Sequence, residues 1–359
     1  MADGSIWTSA KRSAGRCMDK RDGKDTGMRF IVDTDPGIDD AMALRFAASS
    51  PELDIVAVTT CFGNADVGTT TRNALALCRR FGIRAPVHAG AAKPLAMQRR
   101  PSPVHVHGVD GLGDAGGIAA SRADVPAGEG AAEAIVRMAR THPGEISILA
   151  LAPLTNLAAA LAIDPSIAGL IGQVVVMGGA FGRHGRSGNV TPVAEANVWN
   201  DPHAADIVFG ASWPMTVVGL DVTLDCVLDA GIAERLAREF GGDARFLYEI
   251  SRRYEAIYRE QDGLAGSCLH DVAAVAYAVA PELFDIASGH IRATTEGVAI
   301  GQTVFRPEDR RSIAGPSDEA PVQRICVGVD AASVVSMYCG RIVDNTMQAS
   351  VSGMRSWGM

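Results

Sequence analysis

Short apolar runs rich in β-branched residues alternate along the chain with longer stretches in which apolar and polar positions mix. The apolar runs predict β-strands at 29–34, 54–60, 145–152, 173–179, 215–221 and 324–330. The mixed stretches predict helices at 38–48, 65–81, 130–140, 154–163, 202–209, 229–240, 254–261 and 331–342. Apolar strands separated by amphipathic helices are typical of a mainly parallel sheet that is covered on both faces. We therefore predict an α/β fold with an open, doubly wound, mainly parallel central sheet flanked by helices.

The same pattern predicts a single α/β domain over residues 28–345, because it contains neither an internal repeat nor a linker. Residues 1–27 are polar and lack the apolar centre of a signal peptide, so we expect a disordered extension or a misplaced start. Residues 346–359 are expected to form a frayed tail. The charged, proline-containing stretch at 303–323 is predicted to be a loop.

Composition and charge narrow the choice of partners. The 359-residue chain has 47% hydrophobic and 21% charged residues, as globular proteins do, and a net charge of −8. An acidic chain without a basic stripe is a poor ligand for nucleic acids or anionic membranes, and no uncharged apolar run is long enough to span a bilayer. The seven cysteines include no C-x-x-C pair, so we predict reduced thiols and a cytoplasmic location.

A cluster of carboxylates follows the first predicted strand. The run DTDPGIDD spans a strand end, a Pro-Gly turn and a helix start, and it contains Asp33, Asp35, Asp39 and Asp40. Helix capping and dipole compensation, worth roughly 0.3–1 kcal/mol each, explain one or two of them. Four carboxylates in eight residues repel one another and raise one another's pKa, a conflict that a bound cation removes. The run therefore predicts a site for a hard divalent cation, Ca²⁺ or Mg²⁺.

Polar or glycine-rich residues also end other predicted strands. Gly63 and Asn64 follow the second strand, and residues 177–179 end a later one. In open α/β sheets, ligands bind in the crevice beyond the carboxyl ends of the strands. We therefore expect these segments to converge with the acidic run in space, although they are far apart in sequence.

Two classes of enzyme fit the acidic run. A haloacid-dehalogenase-type phosphatase also has D-x-D after a strand, which would make Asp33 the site of an aspartyl-phosphate with Mg²⁺, but Gly37 stands where that class has Thr or Val. The chain more closely resembles the nucleoside hydrolases, through motifs that keep the same order between residues 32 and 279. The matching segments are VDTDPGIDDA (32–41), AVTTCFGN (57–64), HGVDGLG (107–113), ALAPLTNLA (150–158), VVMGGAF (175–181), GNVTPVAEANVWNDP (188–202) and LHDVAAVAYAV (269–279).

The resemblance implies a nucleoside hydrolase-like fold, hydrolysis of the N-glycosidic bond of ribonucleosides to ribose and free base, a Ca²⁺ cofactor, and a homodimer or homotetramer. The residues that match the calcium ligands are Asp35, Asp40, Leu151 (through its backbone carbonyl) and Asp271. Asp35 also matches the general base that activates the calcium-bound water, and His270 matches the acid near the leaving base. The residues that match contacts to ribose or base are Asp39, Asn64, His107, Met177, Asn189, Glu195, Asn197 and Tyr258.

The residues alone leave alternatives open. Outside its motif, Asn64 is typical of a turn, Met177 of a core, and the pair His270-Asp271 of a helix N-cap. A catalytically silent nucleoside- or ribose-binding protein would keep the same pocket residues. The resemblance at His270 is nearer to the inosine–uridine and pyrimidine-preferring groups, but base preference is not predicted. The Gly- and Arg-rich stretch at 180–188 is predicted to be a flexible loop near the pocket.

Overall fold

The computed structural model describes most of the chain. The described residues are 27–116, 118, 121, 124–310 and 320–355, with side chains described up to residue 343. Apart from Gly27, the expected N-terminal extension lies outside the described residues. The division into 1–27, 28–345 and 346–359 therefore stays a prediction.

A mainly parallel sheet runs through the centre of the molecule. The strands of the described residues are, in chain order, β1 (Met28–Thr34), β2 (Leu53–Thr60), β3 (Val87–Ala89), β4 (Ile146–Ala150), β5 (Gln173–Met177), β6 (Met215–Val218), β7 (Val227–Asp229), β8 (Gly266–Cys268), β9 (Phe284–Ala293), β10 (Thr303–Pro307) and β11 (Gln323–Val329). Nine of them form one sheet in the order β10-β9-β11-β6-β5-β4-β1-β2-β3, while β7 and β8 form a separate antiparallel pair. From β11 to β3 in this order the neighbours are parallel, and β9 is antiparallel to both of its neighbours. The predicted fold class is confirmed.

Helices connect the strands and cover the sheet. The α-helices of the described residues are, in chain order, α1 (Ile38–Ala48), α2 (Val67–Phe81), α3 (Val104–His107), α4 (Ala131–Thr141), α5 (Thr155–Ile163), α6 (Ala196–Asn200), α7 (Pro202–Phe209), α8 (Leu220–Thr223), α9 (Ala230–Phe240), α10 (Gly242–Asp262), α11 (His270–Val279) and α12 (Ala331–Arg355). None of these helices combines the length and the apolar character that crossing a membrane requires.

The side chains of β1 alternate between two hydrophobic cores, one on each face of the sheet. Phe30 and Val32 pack in the core that contains α1 and α11, whereas Ile31 packs in the core that contains α4, α5 and α7. All three side chains are at most 1% exposed. The strand is therefore covered on both faces, which explains why its sequence is a continuous apolar run.

The direction of winding reverses beside β1. The strands β1, β2 and β3 proceed toward one edge of the sheet, and β4, β5 and β6 proceed toward the other, so β1 and β4 are neighbours. Loops that leave such a switch point diverge and open a crevice at the carboxyl ends of the strands. The acidic run follows β1 and Leu151 follows β4, and the backbone N–H of Leu151 donates to the carbonyl of Asp33 at 2.7 Å. The topology therefore brings these segments together.

Some predicted bounds need correction. The strand predicted at 215–221 ends before Gly219, because that residue is the N-cap of α8. The loop predicted at 303–323 begins with β10, which pairs antiparallel with β9 despite its charged sequence because it lies at the edge of the sheet. The closing helix predicted at 331–342 continues to Arg355, into the stretch expected to fray.

Candidate active site

The acidic run leaves the sheet at the end of β1 and enters α1 through the Pro-Gly turn. Asp40, in the first turn of α1, accepts hydrogen bonds from the backbone N–H groups of Gly37 at 2.9 Å and Asp35 at 3.3 Å. A Cβ at Gly37 would lie 2.6 Å from Asn64 Nδ2, so a side chain at this position would displace the Asn64 amide. The capping interpretation therefore applies to Asp40, and it leaves the other carboxylates of the run without an explanation.

These carboxylates are buried at the carboxyl edge of the sheet. Burial raises the pKa of Asp33 to about 6 and, together with repulsion from Asp40, that of Asp39 to about 8. Burial and then repulsion from Asp40 hold the pKa of Asp35 well above its usual range. Asp271, in the first turn of α11, has its pKa raised in the same way by burial and by repulsion from Asp39. Ionisation of this group of acids requires a compensating positive charge.

The geometry of the carboxylates fits a divalent cation. Oxygen atoms of Asp39, Asp40 and Asp271 lie within 4.8 Å of one another, and this is the one group of potential metal ligands found in the described part of the chain. Asp35 Oδ1 and Asp33 Oδ2 are buried without a hydrogen-bond partner, and unpaired carboxylate oxygens of this kind fit a cation. Asp39, which the resemblance assigns to ribose, lies within this acidic cluster, whereas Asp35 is not one of its three members.

Calcium is expected to raise the melting temperature of the protein, and to do so more at about pH 8 than at about pH 5. Without metal, the raised pKa values favour protonated acids in the folded state, so stability falls as the pH rises through about 6 for Asp33 and about 8 for Asp39. Cation binding needs the ionised acids and opposes that loss. At 100-fold excess over the dissociation constant the gain is about 2.7 kcal/mol, or roughly 5 °C, measurable by scanning fluorimetry.

The controls for this shift are two asparagine variants. Asp271→Asn removes one member of the acidic cluster and is expected to abolish the calcium-dependent shift. Asp285→Asn changes an exposed carboxylate on β9 and should leave the shift intact. A calcium-dependent shift that is the same at both pH values, or that survives Asp271→Asn, would contradict metal binding at the acidic cluster.

Amide side chains link the acidic run to neighbouring strand ends. Asn64, after β2, donates from Nδ2 to Asp40 Oδ2 at 3.0 Å. Asn197, in α6, donates from Nδ2 to the backbone carbonyls of Leu151 at 3.1 Å and Met177 at 3.2 Å. The predicted site residues that follow β2 and β4 or end β5 are therefore brought to the same edge of the sheet, as the positions of their strands require.

Glu195 and Asn189 hold the backbone around the turn after β5. The Glu195 carboxylate is buried and accepts hydrogen bonds from the N–H of Gly179 at 2.9 Å and from two N–H groups in the first turn of α6 at 2.8 and 3.1 Å. Burial raises the pKa of Glu195, and these donors oppose the shift. Asn189 is exposed, and its Oδ1 accepts from the N–H of Ala196 at 3.0 Å. Glu195 thus caps α6, which carries Asn197.

A continuous line of hydrogen bonds joins the acidic cluster to His270. Tyr254 donates to Asp39 Oδ2 at 3.4 Å, and Tyr258 donates to the hydroxyl of Tyr254 at 3.2 Å. The hydroxyl of Tyr258 lies 2.5 Å from His270 Nε2, and that of Thr223 lies 2.7 Å from His270 Nδ1. Burial lowers the pKa of His270 to about 4, so the ring is neutral at neutral pH. Sequence reasoning missed Thr223, because no motif marks it and the contact spans 47 positions.

His107 lies between the acidic run and α10. Its Nδ1 accepts from the backbone N–H of Ile38 at 3.2 Å, which places the proton of the neutral ring on Nε2. Its ring centroid lies 5.8 Å from that of Tyr254. Burial lowers the pKa of His107 to about 3, so this ring is also neutral. His107 therefore joins the start of α1 to the aromatic face of α10.

Comparisons with known proteins agree on a hydrolase that acts on N-glycosyl compounds. The sequence model of the family described as inosine-uridine preferring nucleoside hydrolase matches residues 30–336. The chain belongs to this family of nucleoside hydrolases, and it hydrolyses the N-glycosidic bond of ribonucleosides. The predicted family and reaction are confirmed.

Individual relatives align with most of the chain. This chain is 42% identical over 279 residues to probable uridine nucleosidase 1 of Oryza sativa subsp. japonica, and the alignment covers 77% of this chain and 84% of the relative. It is 36% identical over 257 residues to the inosine-uridine preferring nucleoside hydrolase of Crithidia fasciculata, covering 71% and 80%. A solved plant nucleoside hydrolase has a TM-score of 0.84 at 37% identity, covering 88% of this chain and 99% of that one. A purine-preferring ribonucleoside hydrolase from Gardnerella vaginalis has a TM-score of 0.81 at 30% identity, covering 89% and 99%.

Proposed function

We propose that this nucleoside hydrolase is calcium-dependent and prefers uridine. The observation that carries the proposal is the buried acidic cluster of Asp39, Asp40 and Asp271, joined through tyrosine hydroxyls to the neutral ring of His270. Carboxylate oxygens alone suit a hard cation. The preference for uridine is supported by the relative at 42% identity that is named a probable uridine nucleosidase, since the purine-preferring structure is only 30% identical.

Asp35 is the proposed general base. Its Oδ2 accepts from the backbone N–H of Asn64 at 2.7 Å, which fixes the carboxylate and leaves the buried Oδ1 to accept a proton from the attacking water. A cation at the acidic cluster, with Asp35, Asp40, Asp271 and the carbonyl of Leu151 as proposed ligands, would polarise that water and keep the acids ionised.

The ribose is proposed to bind across the acidic cluster. Its hydroxyl groups need both acceptors and donors, which carboxylates and amides supply. Asp39 offers an acceptor, and the Nδ2 groups of Asn64 and Asn197 already lie at the edge of the cluster as donors. The other residues proposed to surround the sugar are Met177, Asn189 and Glu195.

The leaving base is proposed to lie against His107 and the tyrosines of α10. Cleavage of the N-glycosidic bond leaves the bonding electron pair on the base, which departs slowly unless it receives a proton. His270 lies behind the hydroxyl of Tyr258, at 2.5 Å from Nε2. We therefore assign the acid role to His270 acting together with Tyr258. Because burial lowers the pKa of His270 to about 4, the proton comes from the small protonated fraction of His270 at neutral pH.

Two further parts of the proposal come from the family resemblance: Ca²⁺ rather than Mg²⁺, and assembly as a homodimer or homotetramer. A third part, a cytoplasmic location, is proposed from the scattered cysteines. Calcium accepts irregular shells of six to eight oxygens, whereas magnesium demands near-octahedral geometry. Light scattering coupled to size exclusion measures the assembly state directly.

Release of reducing sugar tests the proposed function. We expect ribose from uridine at a higher kcat/KM than from inosine, cytidine or adenosine, with activity lost in chelator and restored better by Ca²⁺ than by Mg²⁺. p-Nitrophenyl phosphate, assayed in parallel, should remain intact. Phosphate release without ribose release would support the phosphatase alternative with Asp33 as nucleophile. Uridine binding by calorimetry without turnover would identify a silent binding protein.

A further inference from the structure

The segment formed by residues 104–114 combines one short helix with a loop of unusual backbone conformation. It contains α3 and the loop after it, in which three glycines and Asp114 have positive φ. Leu112 anchors the loop in the core that contains α1, and Val106 packs against that core, whereas Val104 and Val109 are 47% and 80% exposed. The exposed start of α3 therefore depends on polar contacts with neighbouring elements for a fixed position.

Arg253, on α10, makes such contacts. Its guanidinium donates from Nη2 to the carbonyl of Val104 at 3.0 Å and from Nε to the carbonyl of His105 at 3.1 Å. It also donates from Nη1 to Asp114 Oδ2 at 3.0 Å, at the other end of the segment. One planar group therefore holds both ends of the segment, a geometry that the fork of an arginine provides and the single ammonium of a lysine does not.

The other side of the segment contacts the acidic run. The ring of His107 accepts from the backbone N–H of Ile38 at 3.2 Å. The buried amide of Asn73 donates to the carbonyls of Pro36 at 3.2 Å and Asp110 at 2.9 Å, and so ties the acidic run to the loop. The segment thus lies between α10 and the start of α1, and its position against α10 determines where His107 lies.

We propose that Arg253 is a positioning residue of the substrate pocket, which fastens residues 104–114 to α10 and thereby holds His107 against Tyr254. This inference rests on the proposed function in one respect, that His107 and Tyr254 face the leaving base. Without the fastening, the segment occupies its binding position for a smaller fraction of the time. The apparent KM then rises by the inverse of that fraction, whereas kcat of the bound substrate is unchanged.

The ion pair between Arg253 and Asp114 predicts that KM also depends on ionic strength. The side chains of Arg253 and Asp114 are 37% and 39% exposed, so salt screens their attraction. The hydrogen bonds from Arg253 to the two backbone carbonyls persist in salt. We therefore expect ionic strength to raise the KM of the wild-type enzyme part of the way toward that of an enzyme without Arg253.

The test compares steady-state kinetics of variants on uridine and inosine. Arg253→Gln is expected to raise KM about fivefold with kcat within about twofold of wild type. Asp114→Asn keeps an oxygen for the N–H groups of Val109 and Asp110 and should raise KM about twofold. High salt should raise the KM of the wild type to that of Asp114→Asn. It should leave the KM of Arg253→Gln unchanged. The double variant, Arg253→Gln with Asp114→Asn, should have the same KM as Arg253→Gln alone.

Arg245→Gln is the matched control, because Arg245 lies on the same helix and forms its exposed ion pair with Glu249 within that helix at 2.9 Å. Its KM should equal that of the wild type. An unchanged KM in Arg253→Gln, an equal rise in Arg245→Gln, or a fall in kcat with KM unchanged would overturn the inference. Wild-type turnover tests the proposed function separately. If it is absent, calorimetric uridine affinities of the same variants replace KM, and a wild type that neither hydrolyses nor binds uridine would overturn both proposals.

Discussion

An Asp35→Asn enzyme is expected to lose about 10²–10⁴-fold in kcat for uridine while it remains folded. Asparagine has nearly the same shape and keeps an oxygen for the backbone N–H of Asn64, which bonds to Asp35 Oδ2 at 2.7 Å. It cannot take a proton from water. Burial and repulsion from Asp40 raise the pKa of Asp35, so a neutral amide relieves a repulsion in the folded state. The melting temperature in chelator at about pH 8 should therefore equal or exceed that of the wild type.

The combination of lower activity and undiminished stability distinguishes a base from a structural residue. Asp33→Asn serves as the comparison, because no catalytic role is proposed for Asp33 and its Oδ1 already accepts from the Thr59 hydroxyl at 2.6 Å and from Asn156 Nδ2 at 2.7 Å. Asp33→Asn should lose less kcat than Asp35→Asn, which would distinguish the role of Asp33 from that of Asp35. Turnover by Asp35→Asn within about tenfold of wild type would remove Asp35 from the role of base, and a loss accompanied by unfolding would show that the aspartate is structural.

The order of the strands and helices follows from hydrophobic patterning wherever an element is buried on a whole face. The runs at 29–34 and 173–179 predict β1 and β5 because both faces of those strands are covered, so that nearly every position is apolar. The strands β7, β9 and β10 carry no such signal, since their burial is partial and irregular. The strand β8 is buried, but its three residues are too few to form a pattern. Patterning therefore predicts the centre of this sheet better than its rim.

The sequence predicts that the site binds a cation, but not which residues of the acidic run lie beside Asp271. The acidic run itself indicates a cation, because crowded carboxylates are unfavourable without one. Which of its members approach Asp271 depends on how α1 packs against α11, and in the structure Asp39 and Asp40 do so. That packing involves residues more than 200 positions apart, so no local pattern in the run specifies it.

The contacts of α10 show the same limit. The sequence predicts a helix at 254–261, which the structure extends to Gly242–Asp262. The bonds from Arg253 to the carbonyls of Val104 and His105 span 149 and 148 positions and go to backbone atoms. Backbone acceptors leave no trace in the residue types of the segment that supplies them, and such contacts are found only from the structure.

The second large effect is expected from His270→Ala, which should lower kcat/KM for uridine and inosine by about 10²–10⁴-fold but that for p-nitrophenyl riboside by less than about tenfold. A purine or pyrimidine base leaves as a poor anion unless it is protonated, whereas p-nitrophenolate stabilises the negative charge by itself. His270 lies 2.5 Å from the Tyr258 hydroxyl and 2.7 Å from that of Thr223, so its ring is fixed beside the pocket and is not free core filler.

The ratio of the two losses, rather than either loss alone, tests the acid role. Removing a buried ring leaves a cavity, and the resulting loosening of the site would slow both substrates equally. His270→Gln fills most of that space and keeps a donor and an acceptor, so it should restore stability while the selective loss on uridine remains. Tyr258→Phe keeps the ring, breaks the hydrogen bond to Nε2, and should show a smaller loss with the same dependence on the leaving group. Equal losses on uridine and p-nitrophenyl riboside in all three variants would show that His270 supports the fold of the pocket and does not supply the proton.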